Sequence, residues 1–141
     1  MLALERLGRR LADDRRGAVL IEMAAVLPVL VAMFCGIVSY GTLFSLHHAV
    51  QQSANEGARA ALAGLSQAER FQIADEVSHS SMAATWGVRA QDVETATEDN
   101  GQTLTVTVTY NASRNPLLNM PLIPKPSTTI ERRASVRLVG L

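Results

Sequence analysis

Residues 15–41 read RRGAVLIEMAAVLPVLVAMFCGIVSYG. Two arginines and a glycine lead into a long apolar run, and one acid, Glu22, sits just inside it. From Met23 to Leu46 there are 24 residues without a charge. A helix needs roughly 20 apolar residues to span a bilayer, whereas a secretory h-region has only about 7–15. The run is therefore read as a spanning helix. It divides the chain into a basic leader (1–17), a membrane part (18–46) and an outer domain (47–141).

The leader holds Arg6, Arg9, Arg10, Arg15 and Arg16 against Glu5, Asp13 and Asp14, while Leu43 to Asn55 holds two histidines and no Lys or Arg. Lys and Arg near the ends of a span stay on the cytoplasmic side. A single pass through the inner membrane is expected, with the N-terminus cytoplasmic and the outer domain translocated. The chain has 13 basic and 13 acidic residues and 4% aromatics. Neither a net positive field nor stacking platforms point to nucleic acid. The one cysteine, Cys35, rules out an intramolecular disulfide. It reads as a small packing side chain, with a disulfide between two copies as the alternative.

Beyond Leu46 the helical pattern continues in water. Val50, Ala54, Gly57 or Ala58, Ala61 and Leu65 recur at helical spacing. A helix from Ala18 to about Ala63, broken by Gly64, would be roughly 70 Å long. Ser66-Gln67-Ala68-Glu69 reads as a capping box, opening a second helix to about Trp86, where Gly87 stops it. Trp86 reads as a domain-core anchor rather than a ligand platform.

The last third changes period. TLTVTVTY, 103–110, alternates strictly and predicts a half-buried strand. Asn100-Gly101 signals a two-residue hairpin turn, with Asp92 to Thr97 as the strand before it. A third strand reads from Thr128 to Val139. Between strands two and three lies NPLLNMPLIPKP, 115–126, whose prolines exclude helix and ladder; its apolar residues either fold back on the sheet or form an outer patch. The expected fold class is α+β: a long membrane-spanning helix continuing into an outer domain with a second helix and a three-stranded antiparallel sheet. The aqueous half of the long helix should lie on the Leu104/Val106/Val108 face.

A carboxylate deep in a bilayer costs about 3 kcal/mol on insertion scales. Glu22 either marks the cytoplasmic edge or has a partner. Numbering Ala18 as one, Glu22 is five, and Gly17 separates a basic leader from an apolar helix. This spacing resembles the class III signal of type IV prepilins. The resemblance implies cleavage between Gly17 and Ala18 by a prepilin peptidase, after which Glu22 meets the new α-amino group of a neighbouring subunit. Such a pair would act as a register device, because a misregistered copy leaves a charge unpaired.

RGAVLIEMAAVLPVLVAMFCGIVSYG followed by AVQQSANEGARAALAG resembles the TadE-like family, minor pseudopilins of tight-adherence (Flp-type) pili. The matching features are the Arg-Gly before the helix, Glu22 with Ala24, Leu27-Pro28, Gly36, Gly41 and the Glu56-Gly57-Ala58-Arg59 box. They cover about residues 16–64. The family's small α+β outer domain fits the reading above. A major pilin of such systems typically has tyrosine after the glutamate and no sizeable outer domain; Met23 stands here, which favours a minor component. The resemblance implies other pilus subunits as partners, including a second pseudopilin, alongside membrane lipid.

Pro28 should kink or locally melt the span; this either lets the helix adapt between membrane and filament or is a harmless bend. Glu56 and Arg59, three apart, read as a surface ion pair or as a contact to another pilus component. No nucleophile elbow, phosphate loop or dinucleotide fingerprint occurs, and His47 and His48 are adjacent while His79 is remote. No catalytic residue, cofactor or metal is expected, since a zinc site needs more and better-spaced ligands. Two other readings stay open. One is an unprocessed signal-anchor protein whose outer domain binds an envelope partner; the other is secretion after cleavage near Ser39-Tyr40-Gly41.

Overall fold

The computed structural model describes residues 15–120 and 128–138. Most of the basic leader and the middle and end of the proline loop lie outside the described residues. Helix α1, Arg15–Ala60, is a single run of 46 residues. From Val19 to Val31 it is apolar but for Glu22, and none of the described residues buries it: these residues are exposed, Ile21 to 74%. The helix is long and apolar enough to cross a membrane, and the window that qualifies it has no buried residue. Contacts divide the chain between Ile37 and Val38 into two compact units. From Val38 on, one face of α1 is buried in the second unit. Ser39, Leu46, Val50, Ser53, Ala54, Ala58 and Ala61 are all closed to solvent.

The helix ends as its composition requires. A 3-10 turn, Ala61–Ala63, tightens the last residues and Gly64 leaves in an extended conformation. A Cβ on Gly64 would stand 2.7 Å from the Arg70 nitrogen. Only glycine lets the chain turn this closely into the next helix.

Helix α2, Gln67–Ala83, begins at the expected cap: the Glu69 N–H donates to Ser66 Oγ at 3.2 Å. The Glu69 carboxylate accepts from the Leu65 N–H at 2.9 Å, one residue earlier than in the standard capping box. The two helices approach closely at Gly57. A Cβ there would collide with Ser78 Oγ and lie 3.0 Å from the Ala74 carbonyl. Ser53 Oγ donates to the Ser78 carbonyl at 2.9 Å, and Ser78 Oγ donates back to the Ser53 carbonyl at 3.4 Å. The buried positions of α2 are thus Ala74, Ser78 and Met82, with Ile73, Val77 and Ser81 half-buried.

The Trp86 expectation is corrected. Helix α2 stops at Ala83, and the Thr85 N–H closes a turn onto the Met82 carbonyl. Gly87 then turns with φ +79°. Trp86 falls in this turn, beyond the buried Ala74–Ser78–Met82 stripe, and is 73% exposed. The core is filled instead by Met82, Tyr110, Leu104 and Ile130.

Strands β1 (Val93–Asp99), β2 (Thr103–Asn111) and β3 (Thr129–Arg137) form an antiparallel sheet in the order β1-β2-β3. The register pairs Val106 with Thr97 on one side and Ala134 on the other. Alternation then sends Leu104, Val106, Val108 and Tyr110 inward, where they form one core with Leu46, Val50, Ala54 and Ala58 of α1. The hairpin turn sits one residue later than the Asn-Gly signal suggests. Its central pair is Gly101-Gln102, with Gly101 at φ +82°, and Asn100 Oδ1 accepts from the Gln102 and Thr103 N–H groups. At this end Arg70 donates twice to Asp99 Oδ2, at 3.0 and 2.8 Å, tying α2 to the tip of β1. The start of the proline loop folds back: Leu118 is buried, Leu117 and Met120 are half-buried, and the loop turns on the buried Asn115.

Two stability measurements check this packing. Gly57→Ala should destabilise the folded unit by about 1–3 kcal/mol in chemical denaturation, and Ser78→Ala should restore part of the loss in the double variant. Trp86→Ala should change stability by less than about 0.5 kcal/mol.

Candidate functional site

Gly17, Ala18 and Glu22 lie in the first turns of α1. Ala18 and Glu22 are one turn apart and share a face; both are exposed. The Gly17–Ala18 bond is helical, and a Cβ built on Gly17 meets nothing within 4 Å. Packing among the described residues therefore supplies no reason for glycine at 17. Helix α1 continues unbroken through Pro28. Proline has no N–H for the Ala24 carbonyl, so that group lacks its helical donor. Cys35 is a free thiol, half-buried.

The Glu56-Gly57-Ala58-Arg59 box splits by role. Gly57 and Ala58 are buried and belong to packing. Glu56 and Arg59 face away from the core, and no ion pair joins them: the salt bridges among the described residues are Arg70–Asp99, His79–Asp75, Arg114–Asp92 and Arg133–Glu131. Glu56 instead turns toward α2. Hydrogen bonds from Ser81 first, and from Gln52 at 2.8 Å, hold its carboxyl below the usual carboxylate range. It lies on an open groove of about 340 Å³ lined by Ala49, Gln52 and Glu56 of α1 and by Ser81, Ala84 and Thr85.

Two features had no sequence signal. His47 Nδ1 stands 2.7 Å from Arg132 Nη2, 85 residues away. A permanently charged guanidinium donates there, so the imidazole accepts and is neutral. Burial first, and the Arg132 charge second, push the His47 pKa below 6.5. Inward alternation on β3, paired through Val108↔Arg132, is what brings Arg132 to the helix side. The second is a larger polar groove of about 590 Å³ on the far side of the sheet, where Asp92 faces Arg114 at 3.6 Å. Among the described residues no group of three or more His, Cys, Asp or Glu is placed to hold a metal.

A family model described as TadE-like protein matches residues 17–59. The match runs from the glycine before the apolar helix to the last residue of the Glu56–Arg59 box, as the resemblance implies. It associates this helix with tight-adherence pili, whose TadE-like components are structural rather than catalytic. No curated protein and no solved structure matches the chain. The fold fits a single-pass membrane anchor carrying an α+β unit.

The His47–Arg132 contact makes stability pH-dependent. Folding lowers the His47 pKa, so just below 6.5 the unfolded chain binds the proton more readily than the folded one. Denaturation midpoints should fall as pH drops through this window and recover as it rises. His47→Gln, which can still accept from Arg132, should flatten the profile.

Proposed function

We propose that the chain is a minor pseudopilin that acts in assembly of a tight-adherence pilus or is built into it. The family match over residues 17–59 carries this reading. The exposed apolar start of α1 supports it, since only lipid or other apolar helices can cover such a surface. The protein sits in the inner membrane with its N-terminus cytoplasmic. Its partners are a prepilin peptidase, the surrounding lipid and other pilus subunits, a second pseudopilin among them.

The peptidase cuts between Gly17 and Ala18. A protease takes an extended segment, and here the bond lies in the first turn of a helix, where four N–H groups have no intrahelical partner and fraying is easy. Glycine at 17 lowers the helical preference further, by about 1 kcal/mol relative to alanine. This gives Gly17 a purpose that packing does not. Cleavage places a new ammonium group at Ala18, one turn from Glu22 of its own chain and available to Glu22 of a neighbour. Pro28 softens the helix between membrane and assembly.

Intact mass of the membrane-extracted protein should give an N-terminus at Ala18, and Gly17→Val should leave the leader attached. Glu22→Gln should be processed normally yet fail to enter assemblies. Functional pili built from chains that keep Met1 would refute processing and favour an unprocessed signal anchor.

A further inference from the structure

The groove beside Glu56 combines two sources of negative potential and no positive one among its lining residues. The first is the Glu56 carboxylate itself, kept ionised by Ser81 and Gln52. The second is the C-terminal end of α2, which carries the negative pole of the helix dipole and has no basic residue in its last turn. The other lining residues, Ala49, Gln52, Ser81, Ala84 and Thr85, bring no cation to the carboxylate. A guanidinium or ammonium fits such a groove.

The cation that matches it is carried by the same box. Arg59 is exposed three residues further along α1, about 60° around the helix. It takes part in no ion pair among the described residues. We infer that Arg59 of a second copy enters the Glu56 groove, so that neighbouring copies meet along the aqueous part of α1. This deepens the pilus-subunit reading and rests on it only in requiring copies to stand side by side.

Such a contact is reciprocal. Glu56 and Arg59 lie three residues apart on neighbouring parts of the helix surface, so two copies exchange both pairs, Arg59 of each entering the groove of the other. In a two-fold interface residue i of one copy meets residue j of the other and j meets i, so opposite charges face each other in both pairs.

The test uses the full chain in detergent micelles with Cys35→Ser, so that only introduced thiols react. Chains with Glu56→Cys and chains with Arg59→Cys, mixed and oxidised, should yield the mixed disulfide in clear excess over either homodimer. In sedimentation, Glu56→Arg and Arg59→Glu should each weaken association on the order of tenfold. An equimolar mixture of the two should recover it, because each variant supplies the charge the other lacks. Glu56→Gln should weaken association with an unchanged melting temperature, separating charge from fold. A chain monomeric at every concentration overturns the inference, as does association indifferent to all these substitutions; in either case the groove serves a different partner or none. Loss of association on Glu22→Gln, with indifference at Glu56 and Arg59, overturns the groove contact and spares the pseudopilin reading. A mixed disulfide between chains that retain Met1 upholds the contact and shows that it forms without cleavage.

Discussion

The folded unit from Val38 on depends on the approach of α1 and α2 at Gly57. Two serines exchange hydrogen bonds across the gap, and Ser78 occupies the space a Cβ on residue 57 would need. The contact lets small residues do what a larger core would otherwise do. A unit of this size has little apolar area to bury. Ala54, Ala58, Ala61 and Ala74 contribute little each, yet all are closed to solvent. Close approach replaces bulk: backbones come near enough for dispersion contacts that large side chains would hold apart. Gly64 serves the same end seven residues later, where the chain reverses against Arg70.

One helix thus answers to two environments. From Met23 to Val31 it is apolar on every side and exposed. From Val38 it is amphipathic, with one face in the core and Gln52, Asn55 and Arg59 outside. The residues of the TadE-like match follow this division: some keep the helix apolar, some keep it thin at the α2 contact, and others, Glu56 and Arg59 among them, satisfy neither need.

Charge in this unit is arranged at the seams between elements. Arg70 joins α2 to the hairpin, and the Gly101 N–H first, with Arg70 second, holds the Asp99 carboxyl below the usual range. Arg132 joins β3 to α1 through His47. These groups sit where sheet meets helix and polar ends cannot be covered by apolar side chains, so each is hydrogen-bonded instead.

Local pattern was enough for most of the architecture. The apolar run, the small-residue stripe and the Ser66 cap specified both helices, and strict alternation specified β2 and its inward face. These features depend on neighbours within a turn or on a two-residue period, which the chain states directly. The candidate residues were legible for the same reason: Gly17, Glu22 and the Glu56–Arg59 box are local spacings. Tertiary structure alone decided that Trp86 points to solvent, because the end of α2 was set by which turn packs. It also decided that Ser78 is buried, that Arg132 reaches His47, and that Glu56 turns to Ser81 instead of Arg59. Each of these is a meeting of residues distant along the chain or on different elements, and the geometry of such a meeting follows from how the layers pack.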